Sequence, residues 1–207
     1  MIKAIETSYN GYKFRSRLEA RWAVFLDTLN IEYRYEPEGF DLEGIWYLPD
    51  FYLPHFECWL EIKPNIPSHE EREKAIGLCI AKQESVVLFA GDVWKDVKGF
   101  GFAPFYCETR QEFEPIYANY PYPLHWLSAT ECISQTAQDD PWGCILHRGY
   151  GWSTAHWGEC PTCHIIGISA MGINPHMTET ACSDDRSFLR ITPRLEKAFI
   201  AARQARF

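Results

Sequence analysis

Three residues in the first third of the chain have the types and spacing that suit metal-dependent hydrolysis. Asp50 lies in one predicted strand, and Glu61 and Lys63 lie in the next, after a short turn. Carboxylate oxygens bind hard divalent cations. Such a cation can polarise a phosphoryl oxygen and lower the pKa of a bound water, while an adjacent amine orients that water or steadies the phosphate charge. The set therefore predicts phosphodiester hydrolysis.

The predicted turn fixes how the two strands pair. If it centres between His55 and Phe56, opposed residues have numbers with a constant sum, and side chains alternate between the two faces. One face then holds three opposed pairs: Asp50 and Glu61, Leu48 and Lys63, Tyr52 and Trp59. The other face is almost wholly apolar and holds Tyr47, Pro49, Phe51, Leu53, Cys58, Leu60 and Ile62. We expect the second face to be core.

The opposed pair of carboxylates also requires a cation. Directly opposed residues have Cβ atoms roughly 4.5–5.5 Å apart, so Asp50 and Glu61 would repel each other as bare anions. A divalent cation between them resolves that conflict. Each residue also has a plainer interpretation, because Glu-x-Lys is common on exposed strand faces and an acid after proline is common in turns.

Hydrophobic periodicity predicts the elements around these residues. Ser16 and Glu19 have the spacing of a capping box at a helix start, and a buried apolar run predicts a strand parallel to its neighbour. The predicted order is helix 16–29, strand 31–35, strand 46–53, strand 57–63, helix 67–83 and strand 85–91. The acidic run at 70–73 is interpreted as solvated helix charge.

The segments YKFRSRLEARWAVFLD, YLPDFYLP and WLEIKP resemble the PD-(D/E)XK nuclease superfamily, and more narrowly a group of small phage and bacterial proteins within it. The ending AARQARF recurs in that group. The resemblance covers about residues 8 to 110, roughly half the chain. It implies an α/β fold with a restriction-endonuclease-like α-β-β-β-α-β core on a mixed central sheet.

The resemblance also implies roles for individual residues. Asp50, Glu61 and the Ile62 carbonyl would hold Mg²⁺ or Mn²⁺, Lys63 would activate water or stabilise charge, and Glu19 would lie nearby. Glu19 alternatively serves only the helix cap. Superfamily members that act as recombination exonucleases carry a Gln and a Tyr one turn apart, and Gln83 lacks that partner. This disfavours an exonuclease of that kind, and we expect an endonuclease that acts on DNA.

The second half of the chain carries a candidate zinc site. Cys160 and Cys163 form a C-x₂-C knuckle, a spacing that grips Zn²⁺ with two thiolates. Cys182 follows at hairpin distance after the strand-like run IIGIS, and the fourth ligand is open between Cys144, His147 and His176. Buried thiols beside a turn are the alternative. The eight cysteines do not suggest a disulfide framework.

Charge and composition limit the partners. The net charge of −8 disfavours nucleic-acid binding, but residues 186–207 carry six basic residues against one acidic residue. Arg194, Arg203 and Arg206 of a predicted C-terminal helix are therefore candidate nucleic-acid contacts. With no apolar run that could cross a bilayer, we expect a cytoplasmic protein with no membrane partner. A two-fold dimer is compatible with the sequence but not required.

The expected organisation is a nuclease core at 8–112, a connector at 113–131 and a zinc-binding region with a basic C-terminal helix at 132–207. Two other functions remain open. The chain could be a nucleic-acid or protein adaptor that keeps the nuclease fold without cutting. It could also be a zinc-stapled interaction protein, which the acidic net charge favours.

Overall fold

The structure, a computed structural model, describes residues 4–95, 97–107, 147–160, 164–169 and 191–207. These residues form a mixed α/β fold, as expected. The helices are α1 (Arg17–Thr28), α2 (His69–Lys82) and α3 (Pro193–Gln204). The strands are β1 (Thr7–Tyr9), β2 (Tyr12–Phe14), β3 (Arg34–Tyr35), β4 (Phe40–Leu42), β5 (Ile45–Tyr47), β6 (Phe51–Leu53), β7 (Cys58–Lys63), β8 (Ser85–Ala90), β9 (Lys98–Cys107), β10 (His147–Glu159) and β11 (Ile166–Ser169).

The main sheet has seven strands in the order β11-β10-β9-β8-β7-β6-β3. Its pairs are antiparallel except β7 with β8, which run parallel on either side of the α2 crossover. The expected mixed sheet and the parallel neighbour are both confirmed. Two short hairpins, β1–β2 and β4–β5, lie outside this sheet.

The hairpin β6–β7 has the register expected from the sequence. Phe51 pairs with Leu60, Tyr52 with Trp59 and Leu53 with Cys58. The turn is a 3₁₀ helix over Pro54–Phe56, closed by Glu57 in the left-handed region (φ 46°). Continuing the register by one residue brings Asp50 opposite Glu61.

Both faces of the sheet are covered. The apolar residues of the hairpin (Phe51, Leu53, Cys58, Leu60 and Ile62) pack in one core with α1 and α3. Trp59 packs in a second core with buried residues of α2, including Leu78, and with Val86 and Leu88 of β8. The predicted core face is confirmed for these five residues. Asp50 and Glu61 lie on the opposite side, which has an apolar cluster of its own.

The predicted strand 46–53 is wrong in one respect. It divides into β5, which pairs with β4, and β6, which pairs with β7. Pro49 lies between them and has no N–H to donate to a ladder, so the alternation of side chains does not continue across it. Tyr47 consequently packs in the second core with Trp59, not on the face of Phe51.

The two predicted helix starts have serine N-caps. Ser16 accepts a hydrogen bond from the Glu19 amide (3.2 Å) at the start of α1. Ser68 and Glu71 form a full capping box at the start of α2, where each side chain bonds the other residue's amide. These bonds satisfy amides that have no partner within the first helical turn.

The C-terminal segments join the same sheet and core. β10 pairs with β9 along nine residue pairs, and β11, predicted as strand-like, pairs with β10. Helix α3 packs on α1, with the Phe25 and Phe199 rings 4.6 Å apart between centroids. The predicted connector at 113–131 lies outside the described residues. Of the helices in the described part of the chain, none is long and apolar enough to cross a membrane.

Candidate metal and phosphodiester site

The site lies at one end of the hairpin β6–β7. Asp50 immediately precedes β6, while Glu61 and Lys63 belong to β7. Asp50 is 2% exposed and Glu61 is 4% exposed, although both side chains are acidic. Buried carboxylates need hydrogen-bond or ionic partners to offset the loss of hydration.

The Asp50 carboxylate has one main-chain and one side-chain partner. Its Oδ2 accepts a hydrogen bond from the Ile62 amide (2.7 Å). Its Oδ1 accepts from the Nη2 of Arg15 (2.7 Å). The first bond ties the end of β6 to β7, and the second brings a cation onto the carboxylate.

The Glu61 carboxylate is held in a similar way. Its Oε2 accepts from the Asp50 amide (3.2 Å) and from the Tyr47 hydroxyl (3.3 Å). Its Oε1 lies 2.7 Å from the Nζ of Lys63. The structure thus brings Asp50, Glu61 and Lys63 together, as the sequence predicts.

Lys63 bridges Glu61 and the start of α2. Its Nζ also lies 3.3 Å from the Oε1 of Glu71. Burial lowers the pKa of Lys63, but Glu61 and Glu71 raise it more, so its net direction is upward. The amine is therefore charged at neutral pH. Glu71, expected to be a solvated helix charge, is partly exposed and also pairs with Lys63.

The two carboxyls have raised pKa values. Burial is the main cause for Asp50, followed by the negative charges of Glu61 and Glu19, against which the Ile62 amide and Arg15 act. Burial also raises the pKa of Glu61, opposed mainly by Lys63. A close pair of buried carboxylates favours protons or metal cations in the space between them.

Glu19 is buried near this pair, with both of its oxygens engaged. Its Oε1 accepts from the Ser16 hydroxyl (2.6 Å), and its Oε2 accepts from the Tyr35 hydroxyl (2.6 Å) and the Arg15 amide (3.1 Å). The second arm of the predicted capping box thus reaches Arg15, one residue before the cap. Glu19 is close enough to raise the pKa of Asp50. Its contacts organise the loop that delivers Arg15.

Sequence reasoning missed four residues that contact the site: Arg15, Tyr35, Glu36 and Tyr47. Arg15 pairs with Asp50 and, through its Nε, with Glu36. An arginine directly before a helix-capping serine was the only signal for it. The sequence pattern predicts the wrong face for Tyr47, because Pro49 ends the alternation of side chains between β5 and β6.

The donor set fits a hard divalent cation. Asp50 and Glu61 offer carboxylate oxygens, and the Ile62 carbonyl is a third oxygen donor. The N–H and C=O of one strand residue point to the same edge, so the Ile62 carbonyl points, with its amide, towards Asp50. The residues described include no group of three or more His, Cys, Asp and Glu side chains suited to a metal ion. Main-chain and water oxygens would have to complete the shell.

Of the candidate zinc ligands, Cys160 and His147 lie within the described residues, and His147 is the first residue of β10. Cys160 is buried directly after β10. Its amide donates to the Ile165 carbonyl (2.9 Å), and its carbonyl accepts from the His164 amide (3.0 Å). These two bonds pair the main chain of Cys160 with that of His164 and Ile165. Cys163, Cys182 and Cys144 lie outside the described residues.

The predicted nucleic-acid contacts lie on or beside α3. Arg194 contacts Glu159 (3.7 Å) and the Leu29 carbonyl (3.4 Å), so its guanidinium has structural partners. Arg203 contacts Asp92 (3.3 Å) and lies over the Trp94 ring, 4.8 Å from its centroid. Arg206 lies just beyond the end of α3.

A cleft of about 620 Å³ lies beyond the carboxyl ends of the parallel strands β7 and β8. Its lining includes Pro64, Asp92, Trp94, Lys98 and Arg203. The cleft begins one residue after Lys63, and the Gly91 amide donates to the Lys63 carbonyl (2.9 Å). The carboxyl ends of parallel strands are where open α/β sheets commonly bind ligands.

A comparison with models of known protein families finds no match to this chain, and searches of curated proteins and of solved structures likewise find none.

Proposed function

We propose that this chain is a metal-dependent nuclease of the PD-(D/E)XK type that cuts DNA internally. The observation that carries the proposal is the opposed pair of Asp50 and Glu61, both buried, with Lys63 on the same strand 2.7 Å from Glu61. A buried pair of carboxylates with an adjacent amine has a clear chemical use when it flanks a divalent cation.

The arrangement of the core supports the proposal. The elements α1, β3, β6, β7, α2 and β8 follow in the order α-β-β-β-α-β, with β6 antiparallel and β8 parallel to β7. This is the order of a restriction-endonuclease-like core. In that interpretation β9, β10 and β11 extend the sheet on the far side of β8.

The roles of the residues follow from their contacts. Mg²⁺ or Mn²⁺ held by Asp50, Glu61 and the Ile62 carbonyl would polarise the phosphate and lower the pKa of a bound water. Lys63 carries a proton at neutral pH, so it acts as a cation that offsets charge on the phosphate. Tyr47 and the Asp50 amide orient Glu61. Glu19 supports the loop that precedes α1.

Nucleic acid would approach the end of the sheet where the cleft opens. Arg203 and Lys98 line that cleft and can contact phosphate. Arg206 extends the basic surface beyond α3, whereas Arg194 is engaged by Glu159. A structural Zn²⁺ held by the cysteine-rich segment, a cytoplasmic location and a two-fold dimer remain predictions from the sequence.

The direct test is cleavage by the full chain. Supercoiled plasmid and a structured RNA are each incubated with protein in Mg²⁺, Mn²⁺ or EDTA, and nicked, linear and degraded products are separated on gels. We expect plasmid cutting that needs the metal and is lost in Asp50→Asn and Lys63→Met. Glu73→Gln and Lys13→Met change exposed charges elsewhere and should cut like the wild type.

Other outcomes would point to different functions. RNA cleavage without plasmid cleavage would overturn the choice of DNA but retain the site. Plasmid binding without cutting under every metal condition would favour the adaptor, a protein that keeps the fold and binds without hydrolysis. Cutting that persists undiminished in Asp50→Asn would exclude this site as the source of activity.

A further inference from the structure

Arg15 bridges two carboxylates at the mouth of the site. It lies between β2 and α1, and its side chain is 52% exposed. Its Nη2 lies 2.7 Å from the Oδ1 of Asp50, and its Nε pairs with Glu36. One edge of the guanidinium thus faces the buried acid, while a large part of the side chain faces solvent.

Both ends of Arg15 are fixed by the surrounding structure. Its amide donates to the Glu19 carboxylate (3.1 Å) and the Tyr35 hydroxyl (3.0 Å). The Glu36 amide donates to the Asp50 carbonyl (2.9 Å), so the carboxylate that pairs with Nε is tied to Asp50 by the main chain. The fold therefore holds the main chain of Arg15 and its partner Glu36 beside Asp50.

A divalent cation between Asp50 and Glu61 would compete with this guanidinium. Arg15 donates to Oδ1 of Asp50, and Lys63 pairs with Oε1 of Glu61. The other oxygen of each carboxylate accepts a hydrogen bond from a main-chain amide. A metal ion that coordinates Asp50 through Oδ1 therefore competes with Arg15, the partner whose side chain is half exposed. Glu36, which pairs with Nε, would keep the displaced side chain at the rim.

A guanidinium released at this rim suits a phosphate ligand. Arginine has five N–H donors in a planar fork that matches phosphate oxygens, and it keeps its charge at all physiological pH values. The metal ion would then replace Arg15 as the positive charge that balances the Asp50 carboxylate. A phosphodiester bound to that ion would lie next to the position that Arg15 now occupies.

We propose that Arg15 is the phosphate-binding residue of the site: it pairs with Asp50 in the metal-free protein, gives way to the divalent cation, and then binds a non-bridging oxygen of the substrate phosphodiester. This inference rests on the proposed function. Arg15 thereby couples metal binding to nucleic-acid binding, because its charge becomes available to phosphate only when the metal holds Asp50.

The first test measures Mn²⁺ binding without nucleic acid, by electron paramagnetic resonance of free Mn²⁺. Removing a competing cation should tighten binding, so Arg15→Gln should lower the Mn²⁺ dissociation constant about tenfold. Arg15→Lys should lie near the wild type. Arg17→Gln, which removes an exposed arginine two residues away, should leave the constant unchanged. Thermal unfolding in EDTA confirms that each variant is folded.

The second test measures binding of a labelled DNA duplex at saturating Mn²⁺ by fluorescence anisotropy, in the Lys63→Met background to prevent cutting. Arg15→Gln should weaken duplex binding about tenfold, and Arg15→Lys should recover part of the loss. Arg17→Gln should weaken it less than Arg15→Gln. If Arg15 had only a structural role, Arg15→Gln would weaken both Mn²⁺ binding and duplex binding. If the metal ion and Arg15 compete for Asp50, Arg15→Gln should instead tighten Mn²⁺ binding and weaken duplex binding.

The outcomes separate this inference from the function on which it rests. If Asp50→Asn leaves Mn²⁺ binding unchanged, the metal site itself is wrong, and the inference is overturned with it. If Mn²⁺ binding depends on Asp50 but Arg15→Gln does not tighten it, the proposed competition between Arg15 and the metal ion is overturned, and the metal site is retained. Tighter Mn²⁺ binding without weaker duplex binding would overturn the phosphate role.

Discussion

Asp50 and Glu61 are joined by two reciprocal hydrogen bonds from main-chain amides to carboxylates. The Asp50 amide donates to the Glu61 carboxylate (3.2 Å), and the amide that follows Glu61, that of Ile62, donates to the Asp50 carboxylate (2.7 Å). Each acid is thus held by the backbone of the opposite strand. The separation of the two carboxylates is set by the hairpin register and not by side-chain rotamers alone. Such preorganisation is what a metal site requires of its ligands.

The burial of these two carboxyls predicts that the stability of the metal-free protein falls as pH rises. The pKa values of Asp50 and Glu61 are raised above their ordinary 3.8 and 4.5. A raised pKa contributes stability that is fully present below the ordinary value and is lost as pH rises through the folded-state value. In EDTA, the free energy of unfolding of the wild type should therefore fall relative to Asp50→Asn between pH 4 and pH 8, by on the order of 1 kcal/mol.

Urea unfolding at several pH values measures this difference. Asp41→Asn is the control, because Asp41 is an exposed residue of the β4–β5 hairpin and should show no comparable trend. Added Mg²⁺ should restore stability at pH 8 in the wild type and not in Asp50→Asn. A wild type that gains stability relative to Asp50→Asn as pH rises would contradict the raised pKa of Asp50.

Lys63 should act through its charge and not as a base. Glu61 and Glu71 raise its pKa more than burial lowers it, so it remains protonated at neutral pH. Lys63→Met should reduce the cleavage rate about 10²- to 10³-fold, the effect of losing one electrostatic contact to the transition state. Lys63→Arg should retain part of the rate, because it keeps the charge.

Single-turnover cleavage rates between pH 6 and pH 9 separate the two roles. The pH profile of the rate should have the same shape in the wild type and in Lys63→Arg. If Lys63→Arg is as inactive as Lys63→Met, the lysine would have to lose its proton in the reaction, against the expectation.

Tyr47 should matter through its hydroxyl. Burial and the charges of Glu61 and Asp50 keep the pKa of Tyr47 well above its usual value, so the hydroxyl remains a donor to Glu61. Tyr47→Phe should cost about 1 kcal/mol of stability and weaken Mn²⁺ binding at least about tenfold, as loss of a ligand's supporting hydrogen bond commonly does. Tyr33→Phe, at a buried tyrosine whose hydroxyl contacts Asp27 and not the site, is the matched control. Equal Mn²⁺ affinities in both variants would remove Tyr47 from the site.

Cys160 tests the zinc prediction. If the cysteine-rich segment binds Zn²⁺, metal analysis of the purified wild type should find about one zinc per chain. Cys160→Ser should lose that zinc. Cys79→Ser changes a buried thiol of α2 in the second core and should retain it. Equal zinc contents in wild type and Cys160→Ser would count against the prediction.

The hairpin could be predicted because its physics is local. Alternation along two short strands and one turn position is enough to pair Phe51 with Leu60 and so to oppose Asp50 and Glu61. The serine caps of α1 and α2 are equally local, since each depends on residues three positions apart. These features were predicted correctly.

The contacts of Arg15 could not be predicted in this way. Its partners Glu36 and Asp50 lie 21 and 35 positions along the chain, and they meet only because β3 pairs with β6. No periodicity marks such a contact. Tyr47 was misplaced for a different reason, because Pro49 ends the alternation between β5 and β6.

The sequence does not predict β9, because its residue types are not typical of a strand. It contains glycines and a proline, which are ordinarily depleted in strands. The neighbouring strand explains one of them: a Cβ at Gly99 would lie 2.1 Å from the Ala155 carbonyl oxygen. A close approach between distant segments requires glycine there, and that requirement is invisible until the partner strand is known.

The packing of α3 on α1 has a consequence for how the protein is made. Arg194 of α3 reaches the carbonyl of Leu29, 165 positions earlier, and Phe199 covers Phe25. The residues of the candidate site are synthesised long before α3. The apolar side of α1 that Phe199 covers stays open until residues near 199 have been synthesised. The nascent chain therefore holds Asp50 and Glu61 before its core is closed. The final packing of α1 should therefore form only after α3 has been synthesised, because contacts between distant segments form late.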